Sequence, residues 1–505
     1  MWWLVAACVL AAMVLVLVVY DLTQRRHAIL RTFPVVGHLR YLLEKFGPEL
    51  RQYIVTSNDE ERPFSRDQRR WIYATAKGED NLFGFGTDKD LELHSSYVIV
   101  QQSAFPQQAP AVDEAARNWP VPMAKLVGAR HGRAAAFRPA SIVNISAMSF
   151  GSLSGRAIEA LNRGAAAVGC LHNTGEGGIS SHHGYGGELV WQIGTGYFGC
   201  RDAGGRFDLG RCVETAAAHP VRAIEIKLSQ GAKPGLGGIL PAAKVTPEIA
   251  AARGVEVGRD CVSPPGHSAF GDIDSLIVFV EAVAAGTGLP VGIKSAVGEI
   301  EFWETLSARM SSVGGGPDFI TIDGGEGGTG AAPLVFADHV ALPFKVGMSR
   351  VYRVFAEAGL ADEIAFVGAG KLGIAENALL AFALGCDAVN VGREAMMAVG
   401  CIQAQRCHTG NCPTGVATQR AWRARGLVPE DKGPRAARYV AGLRREILRV
   451  SRTCGHAHPA FVTCDDFVIV DDKFGASSAA EVFGYEKGWG LPAPEDLEAV
   501  RALMS

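Results

Sequence analysis

Gly368-Ala369-Gly370-Lys371-Leu372-Gly373 is the stretch on which the fold turns. It satisfies G-x-G-x-x-G, follows the apolar run 364–367 and precedes a helical pattern over 374–384. A dinucleotide-binding open sheet carries this fingerprint on its first strand, with an acid about 20 residues on at the end of the second strand. Here the fingerprint comes late, and Asp387 stands before the next apolar run, 388–391, instead of at its end. In a (β/α)8 barrel, the loops after strands seven and eight bind a phosphate at a helix N-terminus. Residues 368–373 and the pair Gly392-Arg393 fit those two loops.

The texture on either side agrees. From about Ser141, short apolar runs end in polar glycine loops and helical patterns follow. The run 141–145 leads into Ser146-Ala147-Met148-Ser149-Phe150-Gly151, 223–226 into Lys227, and 290–293 into Lys294. The run 319–322 leads into Asp323-Gly324-Gly325-Glu326-Gly327-Gly328-Thr329-Gly330. This alternation predicts an α/β fold with parallel strands, and the late fingerprint selects a (β/α)8 TIM barrel.

The chain has 505 residues and a formal net charge of −3, so it supplies no basic field for a nucleic acid. Residues 2–20 carry no charge and are long enough to cross about 28 Å at 1.5 Å per residue. Trp2, Trp3 and Tyr20 mark the ends of this segment, and Arg25 and Arg26 follow it. By the positive-inside rule the segment is expected to be a single membrane span with the catalytic bulk in the cytoplasm. A cleaved signal peptide is the other reading, and the positive n-region it needs is missing. The expected divisions are a transmembrane helix over 1–20, an extension over 21–114, the barrel with its cysteine motif over 115–430, and a C-terminal helical extension over 431–505. Within the last, 435–452 reads as a basic amphipathic helix, with Pro434 at its first position.

The second chemical signal is Cys401-x5-Cys407-x4-Cys412-Pro413. The eleven cysteines lack the spacing of a secreted disulfide framework. Three thiols this tightly grouped read as ligands of an iron–sulfur cluster, and proline after the last cysteine recurs in such motifs. Three ligands suit a three-iron cluster, or a site completed by Cys386, Cys454 or Cys464. Zinc, which prefers C-x2–4-C pairs, and inert thiols are the alternatives.

At this point a resemblance is legible. Ser146 to Gly151, Asn173-Thr174-Gly175-Glu176-Gly177-Gly178, Gln230-Gly231-Ala232-Lys233-Pro234-Gly235 and Lys244-Val245-Thr246-Pro247-Glu248 lie in collinear order. Gly327-Gly-Thr-Gly-Ala-Ala-Pro333 and the cysteine run closing on Gly415-Val-Ala-Thr-Gln419 continue it. Together they resemble the FMN-binding synthase domain of glutamate synthase, over roughly residues 115–430, and more particularly a stand-alone, membrane-anchored branch of that family. The resemblance implies a barrel holding FMN beside a [3Fe-4S] cluster on Cys401, Cys407 and Cys412, and the reductive amination of 2-oxoglutarate.

It also implies roles for residues. The substrate pocket would be Lys227, Gln230, Lys233 and Arg253, with Glu176, Lys227 and Lys233 in catalytic roles. Arg253 holds a carboxylate, Lys233 polarises or protonates the keto or imino group, and Glu176 gates the site. FMN would contact Ala147, Met148, Ser149, Gln192, Lys294, Asp323, Gly324, Gly325, Gly368, Gly370, Gly392 and Arg393. Lys294 is suited to the anionic edge of a reduced flavin. A 2-keto acid, ammonia or an amine, and a separate electron donor such as a ferredoxin-like protein or a reductase are the implied partners. His182 and His183, adjacent and without an acid nearby in sequence, read as a loop feature and not a metal site.

Three departures from the family pattern stand out. Pro234-Gly235-Leu236-Gly237-Gly238-Ile239 replaces an acid and an amide with apolar groups, at about 0.5–1.5 kcal/mol per lost hydrogen bond. This points toward a different keto acid, or an amine substrate as in N-alkyl amino acid synthesis. Thr195-Gly196-Tyr197-Phe198-Gly199 has tyrosine where the family has arginine, removing a cation expected near the flavin. The chain also shows no amidotransferase domain and no NADPH-binding domain. A non-catalytic electron-transfer subunit of a membrane complex is the remaining alternative, and the retained cations of the dicarboxylate pocket argue against it.

Overall fold

Apolar runs that end in glycine loops become short parallel strands, because β-branched and aliphatic residues buried on both faces favour strand and glycine ends it. The strands are β1 Val143–Ile145, β2 His172–Asn173, β3 Leu189–Ile193 and β4 Val221–Lys227, then β5 Val291–Ser295, β6 Phe319–Asp323, β7 Ala365–Ala369 and β8 Ala388–Val391. Neighbours pair in chain order, and β8 returns to β1 with Val389 opposite Val143 and Val391 opposite Ile145, closing an eight-stranded parallel barrel. A computed structural model describes the chain except at residues 25–26, 56, 90, 92–95, 109–117, 241, 474 and 505. The fingerprint loop does follow β7, and Gly392-Arg393 follows β8.

The described residues divide into two units, Met1–Asp67 and Gln68–Ser505. In the first, Trp2–Thr23 is a helix of mean hydropathy 2.8, and none of its most apolar window is buried. It is long and apolar enough to cross a membrane. Arg25 and Arg26, on which the expected orientation rests, lie outside the described residues, as does the start of the expected barrel region at 115–117. Two further helices follow in this unit, Ala28–Thr32 and Gly37–Tyr53.

In the second unit the barrel is closed below by an apolar plug. Met123, Val127 and Phe137 pack against Leu171, Val190, Ala223, Phe319, Ala365 and Ala388 at or near the N-terminal ends of the strands. Beside the plug Lys125 Nζ stands 3.2 Å from Asp387 Oδ2 and donates to the Ala361 and Ile364 carbonyls. Asp387 is thus half of a buried structural ion pair and takes no part in binding a ribose.

Two expectations are corrected. The C-terminal extension is not all helical: Phe467–Val470 and Ala476–Ser478 are strands, and Phe467–Val470 pairs antiparallel with Tyr97–Val100 of the N-terminal extension. The long helix runs Pro429–Thr453, so Pro429 takes the first position and Pro434 lies inside. Its seam with the helix Gly155–Val168 is close, because a Cβ on Gly164 would stand 2.6 Å from that of Ala436. Arg444 on this helix is fully buried and donates to the carbonyls of Val168 and Asn118, so the basic face is partly interior.

A polar layer lies above the plug. Glu225 of β4, buried inside the barrel, accepts from Gln192 Nε2 of β3 at 2.6 Å, Asn173 Nδ2 of β2 at 2.8 Å and the Thr321 hydroxyl of β6 at 2.7 Å. Replacing Glu225 with leucine orphans three buried donors. Against the relief of no longer burying a carboxyl group, the net loss is expected at about 3 kcal/mol, and Glu225→Gln is expected to lose markedly less. Urea unfolding midpoints of the purified variants measure this. An unchanged midpoint in Glu225→Leu would remove the network from the stabilising elements.

Candidate functional site

The loops at the C-terminal ends of the strands surround one cavity of about 300 Å³. Ser146, Ala147, Met148 and Ser149 line it from the loop after β1, and Gln192, Lys294 and Asp323 from strand ends. Gly327, Gly328, Thr329 and Gly330 come from the loop after β6; Gly370, Lys371, Gly392 and Arg393 come from the loops after β7 and β8. The opposite wall holds Glu176, Lys227, Gln230, Lys233 and Arg253.

The charges along these walls are organised in pairs. Lys294 is buried, with its Nζ 3.2 Å from Asp323 Oδ2. Burial alone lowers the pKa of Lys294, but Asp323 and Glu225 outweigh it and hold the ammonium form. Lys227 Nζ donates to Glu176 Oε1 at 2.9 Å and to Gln230 Oε1 at 2.7 Å. That second bond turns the Gln230 amide NH2 away from Lys227, free to donate elsewhere. Burial raises the Glu176 pKa, and Lys227, Lys233 and Arg253 reverse this and hold the carboxyl below its ordinary range. The Glu176 side chain also lies against Gly194, where a Cβ would stand 2.5 Å from Oε2. Glu176 is held in this position by Lys227 and lies against Gly194.

Lys233 differs from Lys227. Burial lowers its pKa, Lys227 lowers it further, and Glu176 opposes both. Arg253, at the end of the helix Pro247–Arg253, is buried; its η nitrogens donate to the Phe150 carbonyl at 3.1 Å and toward Cys261 Sγ at 3.6 Å. The guanidinium also stacks over the Phe198 ring at 5.0 Å. It braces the loop after β1, and each η nitrogen keeps one further N–H.

Several residues read from the sequence as site residues stand elsewhere. Gly324, Gly325 and Gly368 do not line the cavity. Their missing side chains serve close packing: a Cβ would stand 2.5 Å from Phe344 at Gly324, 2.7 Å from the Ala341 carbonyl oxygen at Gly325, and 2.7 Å from Leu372 at Gly368. Tyr197 is fully buried off the cavity, with its hydroxyl 3.1 Å from His267 Nδ1. The lost family arginine therefore leaves an aromatic cluster and no gap in the cavity wall. Leu236 is exposed and does not line the cavity, and the Ile239 side chain lies outside the described residues. His182 does have an acid near it, Glu248 at 2.7 Å.

Of the three motif cysteines, Cys407 lines the cavity and Cys401 and Cys412 do not. All three thiols lie close enough to affect one another's ionisation. Burial pushes Cys401 up to about 12 and raises Cys407. At Cys412 burial also pushes upward, but the Ala417 N–H, the Thr414 hydroxyl and the N–H groups of Thr414 and Val416 outweigh it and hold the thiol below its ordinary value. Gln403 N–H donates to Cys401 Sγ at 3.4 Å. Among the described residues no three His, Cys, Asp or Glu side chains are grouped to hold a single metal ion. An iron–sulfur cluster, were one bound, would draw its ligands from these three thiols. N–H donors at sulfur are what such clusters use to set their potential. Cys386 precedes β8, at the other end of the barrel, and Cys464 donates to the Ala383 carbonyl, so neither completes the set.

The donor set also fits FMN. Two cationic side chains, Lys371 and Arg393, share a wall with the glycine loops. Gly328 is a cradle position there, since a Cβ would stand 2.5 Å from Arg393 Cδ. The opposite requirement, a cation and an amide at a flavin ring, is met by Lys294 and Gln192. Lys244, which was not singled out within its motif, also lines the cavity, and its Nζ donates to the Cys407 carbonyl at 3.1 Å. Its only sequence signal was its place at the head of a conserved-looking Lys-Val-Thr-Pro-Glu run.

The family model described as the conserved region in glutamate synthase matches residues 125–457. The glutamate synthase large subunit-like protein YerD of Bacillus subtilis (strain 168) is 36% identical over 470 residues, covering 87% of this chain and 89% of that protein. The archaeal-type glutamate synthase (NADPH) of Thermotoga neapolitana is 36% identical over 311 residues, covering 61% of this chain but only 58% of that protein. A crystal structure of mandelate oxidase aligns over 87% of this chain and 97% of its own, at 15% identity and a TM-score of 0.41, and adds nothing to the barrel already described. With two thirds of its length under the family model and a relative matched nearly end to end, the chain belongs to the glutamate synthase family.

Proposed function

We propose that this chain is a membrane-anchored, FMN-dependent oxidoreductase that reductively aminates 2-oxoglutarate, or a related 2-keto acid, to an amino acid. The observation that carries the reading is the meeting of Lys227, Gln230, Lys233 and Arg253 with the Lys294–Gln192 wall in one cavity. FMN bound there would supply hydride chemistry, and Cys401, Cys407 and Cys412 would hold a [3Fe-4S] cluster supplying single electrons.

The chain's own residues supply the rest. Lys371, Arg393 and the backbone of 327–330 hold the phosphate end of the cofactor. Lys294 sets a positive charge at the ring and is itself fixed by Asp323. On the substrate side, the outward Gln230 amide and the remaining N–H groups of Arg253 bind carboxylates. Lys233, whose proton is held loosely, would place that proton on the imino nitrogen of the 2-imino acid formed from the keto acid and ammonia with loss of water. Ammonia and electrons come from outside this chain, the latter from a ferredoxin-like protein, a reductase or a membrane donor. The helix Trp2–Thr23 anchors the enzyme as a single span with the barrel in the cytoplasm. The amine-substrate alternative loses one of its two grounds, because Leu236 is exposed and away from the cavity.

Four outcomes test this reading. The anaerobically purified protein is expected to show flavin bands over a broad iron–sulfur absorbance, and 2-oxoglutarate to perturb the flavin bands. Lys227→Met leaves the Glu176 carboxylate without its partner beside an incoming dicarboxylate and should weaken that perturbation at least tenfold in apparent Kd, about 1.4 kcal/mol. No response to 2-oxoglutarate in the unaltered protein would sink the substrate assignment.

Activity should also have an alkaline limb set by Lys233. Its pKa is lowered in the folded protein, so kcat/KM is full while the ammonium survives and falls as pH rises through a value below the usual lysine range. Lys233→Arg should move that limb upward at reduced kcat, and a limb that stays in place assigns it to another group. Finally, Cys412→Ser should abolish the broad absorbance and the electron paramagnetic resonance signal of the cluster while FMN remains bound. Retention of an unaltered cluster signal in that variant would count against the ligand set.

A further inference from the structure

The helix Gly37–Tyr53 has an apolar stripe turned to solvent. Leu39, Leu42, Leu43, Phe46 and Leu50 are between 44% and 57% exposed. At 3.6 residues per turn these five positions fall within about 100° of one another, the width of a stripe that normally faces a core. Arg40, Glu44 and Arg51 occupy the opposite side, and they are already paired, Arg40 with Glu44 at 2.9 Å and Arg51 with Glu60 at 2.8 Å. The polar side is thus electrically settled, and the apolar side is what lacks a cover.

Two observations say what covers it. Asp21, in the last turn of the helix Trp2–Thr23, is fully buried. Its carboxyl accepts the Val35 N–H at 2.9 Å and stands 2.9 Å from His38 Nε2. The first turn of the amphipathic helix is therefore clamped to the end of the hydrophobic anchor, at the level where hydrocarbon gives way to headgroups. Phe33 and Val36, in the connection between the two helices, are also mostly exposed and continue the apolar surface.

We propose that Gly37–Tyr53 is a second membrane element, lying in the bilayer interface with Leu39, Leu42, Leu43, Phe46 and Leu50 against the acyl chains. The occupant is a lipid bilayer surface, chosen over a second copy of the chain because the stripe is continuous with the membrane segment and tied to it by Asp21. The proposal rests on the reading of Trp2–Thr23 as a membrane span. Its consequence is that the anchor does more than tether: it fixes a rigid element at the surface from which the rest of the chain departs.

The test uses the full chain in phosphatidylcholine–phosphatidylglycerol nanodiscs, with an environment-sensitive dansyl amino acid introduced singly at Leu10, Leu43 or Glu44. Spin-labelled phospholipid is the quencher. At Leu43 the emission is expected to be blue-shifted and quenched roughly two-fold or more by a label near the headgroup; at Leu10 a label deep in the acyl chain should quench best, and at Glu44 emission should stay at its aqueous value. Quenching at Leu10 with aqueous emission at Leu43 would overturn the interfacial helix and leave the span standing. Aqueous emission at both would overturn both readings. A blue shift at Leu43 that lipid spin labels do not quench would mean that protein covers the stripe, and would overturn the proposal in favour of self-association.

Discussion

A carboxyl group sits where a barrel interior is usually filled by aliphatic side chains, and much of the site is arranged around it. Glu225 draws donors from β2, β3 and β6 to one point beneath the cavity. Gln192, one of those donors, is also a wall of the cavity. Lys294 of β5 feels the same carboxyl and is fixed by Asp323. Barrel strands set backbone positions to within a register; a shared acceptor sets side-chain positions, which chemistry at a flavin ring requires. An apolar residue at 225 would fill the volume and leave Gln192 without a reason to point where it does. The network serves aim as much as stability, and it couples the two.

The same principle of paired charges runs along the substrate wall. Three cations close together repel, and a site that gathers Lys227, Lys233 and Arg253 needs a counter-charge before substrate arrives. Glu176 is that charge. It neutralises Lys227 by direct contact and leaves Lys233 less compensated, so two lysines six residues apart acquire different properties. The residue that sets a static field is Lys227, and the residue positioned to release a proton is Lys233. The dicarboxylate proposed as substrate would bring two further negative charges into this field.

Much of this was legible in the sequence, and the exceptions have physical causes. Six of the eight strands announced themselves as apolar runs ending in a lysine or in a polar, glycine-bearing loop. β2 has only two residues, too short for any periodic signal, and β3, Leu189–Ile193, runs into the glycine-rich 194–199 but carries polar Gln192 and is separated from its helix, Leu209–Ala218, by a long loop. The cavity residues were recognisable because motifs conserve chemistry in register. Gly324, Gly325 and Gly368 were not distinguishable from them, since glycine is required both where a ligand approaches the backbone and where Phe344 or the Ala341 carbonyl does. The pairings Lys294–Asp323 and Lys227–Glu176 join residues distant in sequence and emerge only when the barrel closes. The burial of Tyr197 with His267 is likewise a tertiary fact, and it changes the meaning of a substitution that in sequence looked like a lost cation.

The cysteine loop shows how the parts outside the barrel proper bear on the chemistry within it. This loop has little regular structure to stiffen it, only the short turn Cys407–Thr409. It is held instead by contacts to its carbonyl groups from two sides. Lys244, from the excursion between β4 and β5 that carries the substrate residues, donates to the Cys407 carbonyl. Tyr73, from the helix Arg66–Lys77 of the N-terminal extension, donates to the Cys401 carbonyl at 2.8 Å. The cluster proposed for this loop would need a fixed separation from the flavin, because transfer rates fall steeply with distance. One brace ties the loop to the substrate wall of the same cavity. The other ties it to a segment that, read as sequence alone, carried no chemical signal. Through the Tyr73 hydroxyl the extension before the barrel bears on where the cysteine loop is held.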